Sequence, residues 1–327
     1  MQTTNHRRAG RDPGGDAISP PPETAMSPTS NAGFGVGLVE RAGYGVVLGG
    51  SLGASWLLGV AGAPAWAQVS AVVAVAMALI WLWERALPHT LVWRPDRRRL
   101  TLDVLHTLVS SGGTSRLIEI SLLASLATLA PALGGDGVLW PTSWPLGLQL
   151  AVALTLGELG AYWAHRLCHL TQIGWRIHAV HHSAEALHLW ASGRTHPFNT
   201  ALVFTAQSVG VVLLGAPAAV IALMAVFTGV NGLLQHANIR VRPGWLNAVV
   251  STAEHHRWHH SRVLAESNTN FGNNLIVWDR VFGTYFAPRD RRSTDAVGLT
   301  GTVIPEGFWH HWLTPFVLHR YETTEEK

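Results

Sequence analysis

The chain has 327 residues, of which 48% are apolar and only 13% charged, with a mean hydropathy of +0.20. Such a composition excludes a disordered chain, and an ordinary soluble domain carries about twice this charge. The net charge of +3 comes without a long basic block, which argues against nucleic-acid binding, and the lone Cys168 excludes an internal disulfide framework and a Cys-based zinc cluster.

Residues 1–33 are rich in Pro, Gly, Ser and Thr, and their early Arg residues are not followed by an apolar run. They read as a disordered cytoplasmic tail rather than a signal peptide. Residues 34–99 read as an N-terminal transmembrane hairpin. Positions 42–83 hold no Asp, Glu, Lys or Arg, which leaves room for two spans of ~20 residues, and Gly62-Ala63-Pro64 supplies the turn. Residues 117–133 and 146–156 are apolar segments joined by a Gly/Pro/Trp loop over 134–145, either a further hairpin or a partly interfacial pair. Residues 197–235 are again free of charge, with Gly215-Ala216-Pro217 near the middle. Residues 291–327 read as a polar, loop-rich C-terminal cytoplasmic segment. The expected fold is an all-α integral membrane protein, with four to six transmembrane helices and a cytoplasmic helical cap. Buried helices of a soluble core are the competing reading, but two such charge-free runs are too long for it.

Paired spans return the chain to one side each time. That side receives Arg85, Arg94, Arg97–Arg99, Arg166, Arg176, Arg194, Arg240, Arg242 and Arg257, while the opposite turns hold no Lys or Arg. The asymmetry puts the Arg-rich side in the cytoplasm, and Trp81, Trp83, Trp93, Trp140, Trp144 and Trp245 suit interfacial anchoring.

Twelve of the 18 His residues lie between positions 165 and 260. His165 and His169 are i,i+4. His178, His181 and His182 are i, i+3, i+4, and His256, His259 and His260 repeat that pattern. On a helix these separations put each set on one face, where imidazoles converge on a metal ion. His236, at the end of the second charge-free run, adds a ninth nitrogen. So many inward imidazoles are too costly to bury unless they are hydrogen-bonded or metal-bound.

His165-Arg-Leu-Cys-His169, His178-Ala-Val-His181-His182 and His256-Arg-Trp-His259-His260 resemble the histidine boxes of the fatty acid hydroxylase/sterol desaturase superfamily. Trp175–Ser183, Arg194-Thr-His-Pro197, Asn268-Thr-Asn-Phe-Gly272 and Trp278-Asp-Arg-Val-Phe-Gly-Thr284 are similar to the text around those boxes. The resemblance covers roughly residues 100–290, the catalytic domain. It implies a mainly helical membrane enzyme with two iron ions facing the cytoplasm. Such enzymes use O2 to hydroxylate or desaturate lipid-like substrates. Some members carry H-x-x-x-H where this chain has His236-Ala-Asn-Ile-Arg240. Arg240 cannot ligate a metal, so one ion is expected to have fewer His ligands. Asn238 would then contribute indirectly, and His196 would act as a ligand or as a neighbour of one.

Imidazole suits iron, and a redox metal supplies what no side chain can. Glu158 and Tyr162 precede His165 by seven and three residues on the same face, so Glu158 is a candidate acceptor for a ligand imidazole. Asp279 is a candidate to orient a His or stabilise a turn. His255 points about 100° away from His256. His188, His310, His311 and His319 lack a partner at ligand spacing and are expected at the surface or interface, and Cys168 as an inert packed thiol.

Other classes fit less well. A haem protein needs two axial His and leaves seven unexplained, a zinc peptidase wants H-E-x-x-H, and a transporter would place ionisable groups within the spans. The favoured reaction is C–H hydroxylation of a membrane lipid, with desaturation as the alternative. The text around Trp175–Ser183 lies nearer the sterol-desaturase-like branch, which also acts on other lipids. Arg-heavy usage points to a GC-rich, bacterial genome, where sterols are uncommon. The single Cys cannot hold an iron–sulfur cluster, so a separate cytoplasmic electron donor is expected. Arg94 and Arg97–Arg99 would steer that donor or contact anionic headgroups.

Overall fold

The computed structural model describes residues 34–129, 139–288, 290–293 and 295–322. The tail expected over residues 1–33 and most of the first half of the 134–145 loop lie outside them. Among the described residues every regular element is helical, and β-structure is confined to isolated bridges such as Pro88 to Ile239.

The first hairpin is α1 (Phe34–Val60) and α2 (Ala65–Ala86). Its turn needs Gly62, whose φ of 83° is left-handed, and Pro64 caps α2 with φ already fixed at −66°. Next, α3 (Arg97–Leu105) runs through a π-helical turn, His106–Gly113, into α4 (Thr114–Leu129). Then come α5 (Leu146–Leu170) and α6 (Gln172–His182). The second hairpin is α7 (Pro197–Leu213) and α8 (Ala218–His236), turning at Gly215 with φ 82°. Four short helices follow: α9 (Ala253–His259), α10 (Leu264–Ser267), α11 (Val277–Val281) and α12 (Phe308–Val317). The C-terminal segment is therefore not only loop. The Phe308–Val317 stretch folds because His311, Thr314 and Pro315 bury one side of the helix while Trp309, Leu313 and Phe316 stay exposed.

Among the described residues three helices, over residues 35–60, 65–86 and 218–236, are long and apolar enough to cross a membrane. The first two are 22% buried along their apolar window and the third 61%. This makes α8 the central helix, with α1 and α2 outside it. Their contact is an apolar cluster including Tyr44, Leu48, Val72, Ala76, Ile80, Val226, Val230 and Leu234. Spacings of three to four residues put these side chains on facing stripes. Tyr44 donates to Asn231 Oδ1 at 2.8 Å, a polar tie inside that contact. The partner hairpin helix α7 is a shorter apolar helix of 17 residues, because it starts only after the buried His196 that caps it.

On the other side α5 packs tightly on α7 through Gly157 and Gly160. A Cβ on Gly160 would lie 2.0 Å from the Ala206 carbonyl oxygen, and one on Gly157 would lie 2.8 Å from the Gln207 carbonyl oxygen. Small residues one turn apart let the two backbones meet. That close approach brings the last turns of α5 and α8 to the same level, where α6 and α9 cross them.

Candidate metal centre

Four helices end at one place, and each carries histidines in its last turn: His169 on α5, His181 and His182 on α6, His236 on α8, and His256 and His259 on α9. Helix C-termini present unpaired carbonyls and partial negative charge, so their convergence favours a cation.

The imidazoles sort into two groups whose ligand atoms lie within 4.8 Å of one another. Group one is His165, His169, His178, His182 and His259; group two is His181, His236, His256 and His260. Each H-x-x-H-H box is split between them. The i,i+4 pair His178/His182 serves group one while His181 turns to group two. His256/His260 serves group two while His259 turns to group one. An i,i+4 pair is offset by only ~40° around a helix, whereas adjacent residues differ by ~100°. All nine sequence candidates for the metal are brought together.

Within the groups Nε2 atoms face one another. The separations are 3.1 Å for His165–His178 and His178–His182, 3.2 Å for His181–His236, 2.9 Å for His236–His256 and 3.1 Å for His256–His260. Meanwhile Nδ1 donates outward. His165 donates to the Phe271 carbonyl at 2.8 Å, His169 to Asn268 Oδ1 at 3.2 Å, His178 to Asn199 Oδ1 at 3.1 Å and His259 to the Thr269 carbonyl at 2.7 Å. In group two His181 donates to the Arg194 carbonyl at 3.1 Å and His236 to the Gly232 carbonyl at 2.8 Å. An imidazole that spends its only proton on Nδ1 presents a lone pair at Nε2. His165 and His178 therefore aim lone pair at lone pair, as do His181 and His236, and a hydrogen bond cannot form between them. A cation relieves this, and ~3 Å is the spacing of adjacent nitrogens around an ion bound at roughly 2.0–2.1 Å. His169 Nε2 and His259 Nε2 are buried with no hydrogen-bond partner, which the same ion would supply. The residues present fit a pair of imidazole-ligated metal ions.

Burial depresses the imidazole pKa values, since the charged form loses hydration. His181 falls to about 4, and His178, His182, His256, His259 and His260 lie well below the ordinary His range, neighbouring imidazoles adding to the effect. They are neutral at physiological pH, as ligands must be. The unfolded chain takes up these protons below about pH 6.5, while the folded chain does not. Stability of the metal-free protein is therefore complete above pH 6.5 and falls as pH drops from 6.5 towards 4. Thermal unfolding of metal-free protein across that range checks this; a flat midpoint contradicts it.

The outer supports are specific. Asn268, Thr269 and Phe271 form one strap that orients His169, His259 and His165. Asp279 clamps it, accepting from Phe271 N at 2.7 Å, Gly272 N at 2.8 Å and Thr284 Oγ1 at 2.7 Å. Burial lifts the Asp279 carboxyl to about 6, so the carboxylate is still the species present at neutral pH. Asn270, at φ 53°, turns the strap and ties to the His255 and Phe286 carbonyls. Arg194, whose carbonyl orients His181, is anchored by its side chain to Asp103 at 2.6 Å, and His188 Nε2 lies 2.9 Å from the other Asp103 oxygen. Removing either partner of such a buried pair costs about 3–5 kcal/mol.

Several candidates stand apart from the two groups. Glu158 accepts the Asn274 N–H on both oxygens at 3.0 Å rather than an imidazole; seven residues are ~10.5 Å of helix, too far from His165. Tyr162 bonds Thr284 Oγ1 at 2.9 Å and accepts from Arg166 at 3.1 Å. Asn238 pairs with the backbone of Thr90 on both sides of its amide. His196 caps α7 and reaches the Trp312 carbonyl at 3.1 Å. His255 faces away, accepting from Thr252 N. His310 and His319 are exposed, but His188 and His311 are not surface residues: they are 4% and 0% exposed. His311 is drawn in by His106 on the π-turn at 3.0 Å, and His106 in turn contacts Ser110 Oγ at 2.9 Å. Sequence spacing misses these links, and Asn199, because they join distant segments. Cys168 is buried, as expected of a packed thiol.

A family model for fatty acid hydroxylases matches residues 150–284, which hold all nine histidines. The chain belongs to the fatty acid hydroxylase/sterol desaturase superfamily, and it is an oxidoreductase. It is 40% identical over 243 residues to the ornithine lipid hydroxylase OlsE of Rhizobium tropici, covering 73% of each chain. It is 31% identical to the alkylglycerol monooxygenase of Danio rerio over 70% of this chain and 49% of that one. The methylsterol monooxygenase 1 of Rattus norvegicus is 28% identical over 38% of this chain and 41% of its own. No solved structure matches.

Proposed function

We propose that this protein is a membrane-bound, O2-dependent di-iron hydroxylase that inserts one oxygen atom into a C–H bond of an amphiphilic membrane lipid, an amino-acid-headed lipid being the favoured class. The observation that carries the reading is the pair of imidazole groups with Nε2 lone pairs turned inward. The similarity to OlsE across most of both chains supports the choice of lipid.

His165, His169, His178, His182 and His259 would hold one iron, and His181, His236, His256 and His260 the other. Iron bound there supplies the redox chemistry that side chains lack, the two-electron use of O2 to oxidise an unactivated C–H bond. The chain's own part is placement. The strap 268–271, Asn199 and Arg194 fix the tautomer and direction of His165, His169, His259, His178 and His181. The helix ends put the site at the border of the apolar belt, so a lipid keeps its polar head in water while its chain reaches the site.

The four-to-six-span topology with boxes and termini on the cytoplasmic side belongs to the same reading. It is supported by three helices of spanning length among the described residues and by the lack of Lys and Arg in the turns at 61–64 and 214–217. Two electrons per turnover would come from a separate reduced protein docking on that face. Arg99 is already paired with Glu185 and Glu306, both at 2.8 Å, which leaves Arg94 and Arg97 for the encounter. Mass spectrometry of total lipids with and without the gene tests the function. A gain of one oxygen on one lipid class is expected; a loss of two hydrogens indicates desaturation, and unchanged lipids contradict both.

A further inference from the structure

We propose that a trough between α1 and the Gly244–Ala248 turn is a binding site for one anionic glycerophospholipid, separate from the histidine centre. Its volume is about 730 Å³, within the ~300–1,000 Å³ usual for ligand sites.

On α1 the trough is lined by Arg41, Gly45, Leu48, Gly49 and Leu52. These positions are i, i+4, i+7, i+8 and i+11, one continuous stripe of a helix. Gly45 and Gly49 form its floor, and a Cβ on Gly49 would have no atom within 4 Å. Phe227 and Leu246 close the opposite wall, and Arg242 joins Arg41 as the second charge. The stripe belongs to a helix of spanning length; Arg41 and Gly49 are its exposed members, while Leu48 is buried against α8 at its inner edge. From Arg41 to Leu52 the helix rises ~16 Å, about half of a ~30 Å hydrocarbon core. The trough is thus one leaflet deep, with its charges at headgroup level. Trp245, 78% exposed, lies at that same level, where interfacial Trp residues sit.

The charge balance selects the headgroup. Glu40 is 3% exposed and is occupied by Arg242 at 3.1 Å, with Arg240 at 3.7 Å. Arg41 is exposed and has no ion-pair partner among the described residues. Three arginines against one carboxylate leave an excess of positive charge for a phosphate. A zwitterionic headgroup brings its own cation and gains less. No histidine of either group lines the trough, which distinguishes it from a substrate path.

The test uses the full-length protein in detergent, washed free of lipid and then offered equimolar phosphatidylglycerol and phosphatidylcholine, with native mass spectrometry as the readout. The wild type is expected to retain one phosphatidylglycerol with a preference of about thirtyfold, the scale of two interfacial arginines. Gly49→Phe, which fills open space, is expected to retain none, and Arg41→Gln to lose most of the preference, both keeping wild-type metal content. Retention of phosphatidylglycerol by Gly49→Phe at the wild-type level overturns the proposal, as does equal uptake of both lipids by the wild type. Should Gly49→Phe fail to fold, Arg41→Gln at the exposed rim decides alone: an unchanged preference overturns the site.

Discussion

Ala at His169, His181 or His259 is expected to abolish turnover, whereas Ala at His310 is expected to leave it intact. The first three sit in the two imidazole groups; His310 is exposed on α12. No side chain replaces a redox metal in oxidising a C–H bond, so the loss is to background rather than partial. The variants also separate the groups. His169→Ala and His259→Ala deplete group one, His181→Ala depletes group two, and in each case metal content falls towards one ion per chain while the helical spectrum is retained. His311→Ala behaves differently again. It leaves His106 with a buried, unsatisfied nitrogen, which costs about 1–3 kcal/mol of stability, and it leaves metal content alone. Equal loss of activity in His310→Ala and His169→Ala would mean that folding rather than ligation had been disturbed. Steady-state turnover read beside elemental analysis of the same preparations checks this.

Asp279→Asn is expected to weaken metal binding in group one by about 10-fold, the lower end of the effect of losing a ligand's direct hydrogen-bond partner, and to leave group two at its wild-type affinity. The carboxylate does not face an imidazole. It holds the N–H groups of Phe271 and Gly272, and the strap so held presents the Phe271 and Thr269 carbonyls and the Asn268 amide to three histidines of group one. An amide keeps one acceptor but turns a donor towards a second N–H, which loosens the strap. Group two takes its orientation from Arg194 and Gly232 instead. Competition with a chelator, following the two ions separately, is the measurement. Equal weakening of both groups, or none, contradicts the role.

These two expectations divide along what the sequence can convey. The histidine sets were legible because i,i+3 and i,i+4 spacing survives in any helical context; eight histidines could be named from it, and His236 from its place at the end of the second charge-free run. The hairpins were legible too, since charge-free runs and Gly-Pro turns are local signals; Gly62 and Gly215 take the left-handed conformations their turns require. Which box member goes to which group was not legible, because it depends on how α6 and α9 are rotated against each other. Nor were the orienting acceptors, since four of the six are backbone carbonyls that carry no residue signature. Face arguments along one helix misled for Glu158, which shares a face with His165 but lies two turns away and meets Asn274 from another segment. They also could not reveal that Asn238 pairs with Thr90 or that His188 meets Asp103, contacts made only when distant segments fold together.

Metal content reports whether these nine imidazoles hold two metal ions. Gently purified full-length protein should contain two transition-metal ions per chain by elemental analysis, with turnover following the iron fraction. Zinc bound in place of iron is expected in overexpressed material, since affinity alone favours it, and such protein should regain activity when iron replaces it. Active protein holding fewer than one ion per chain would contradict the account.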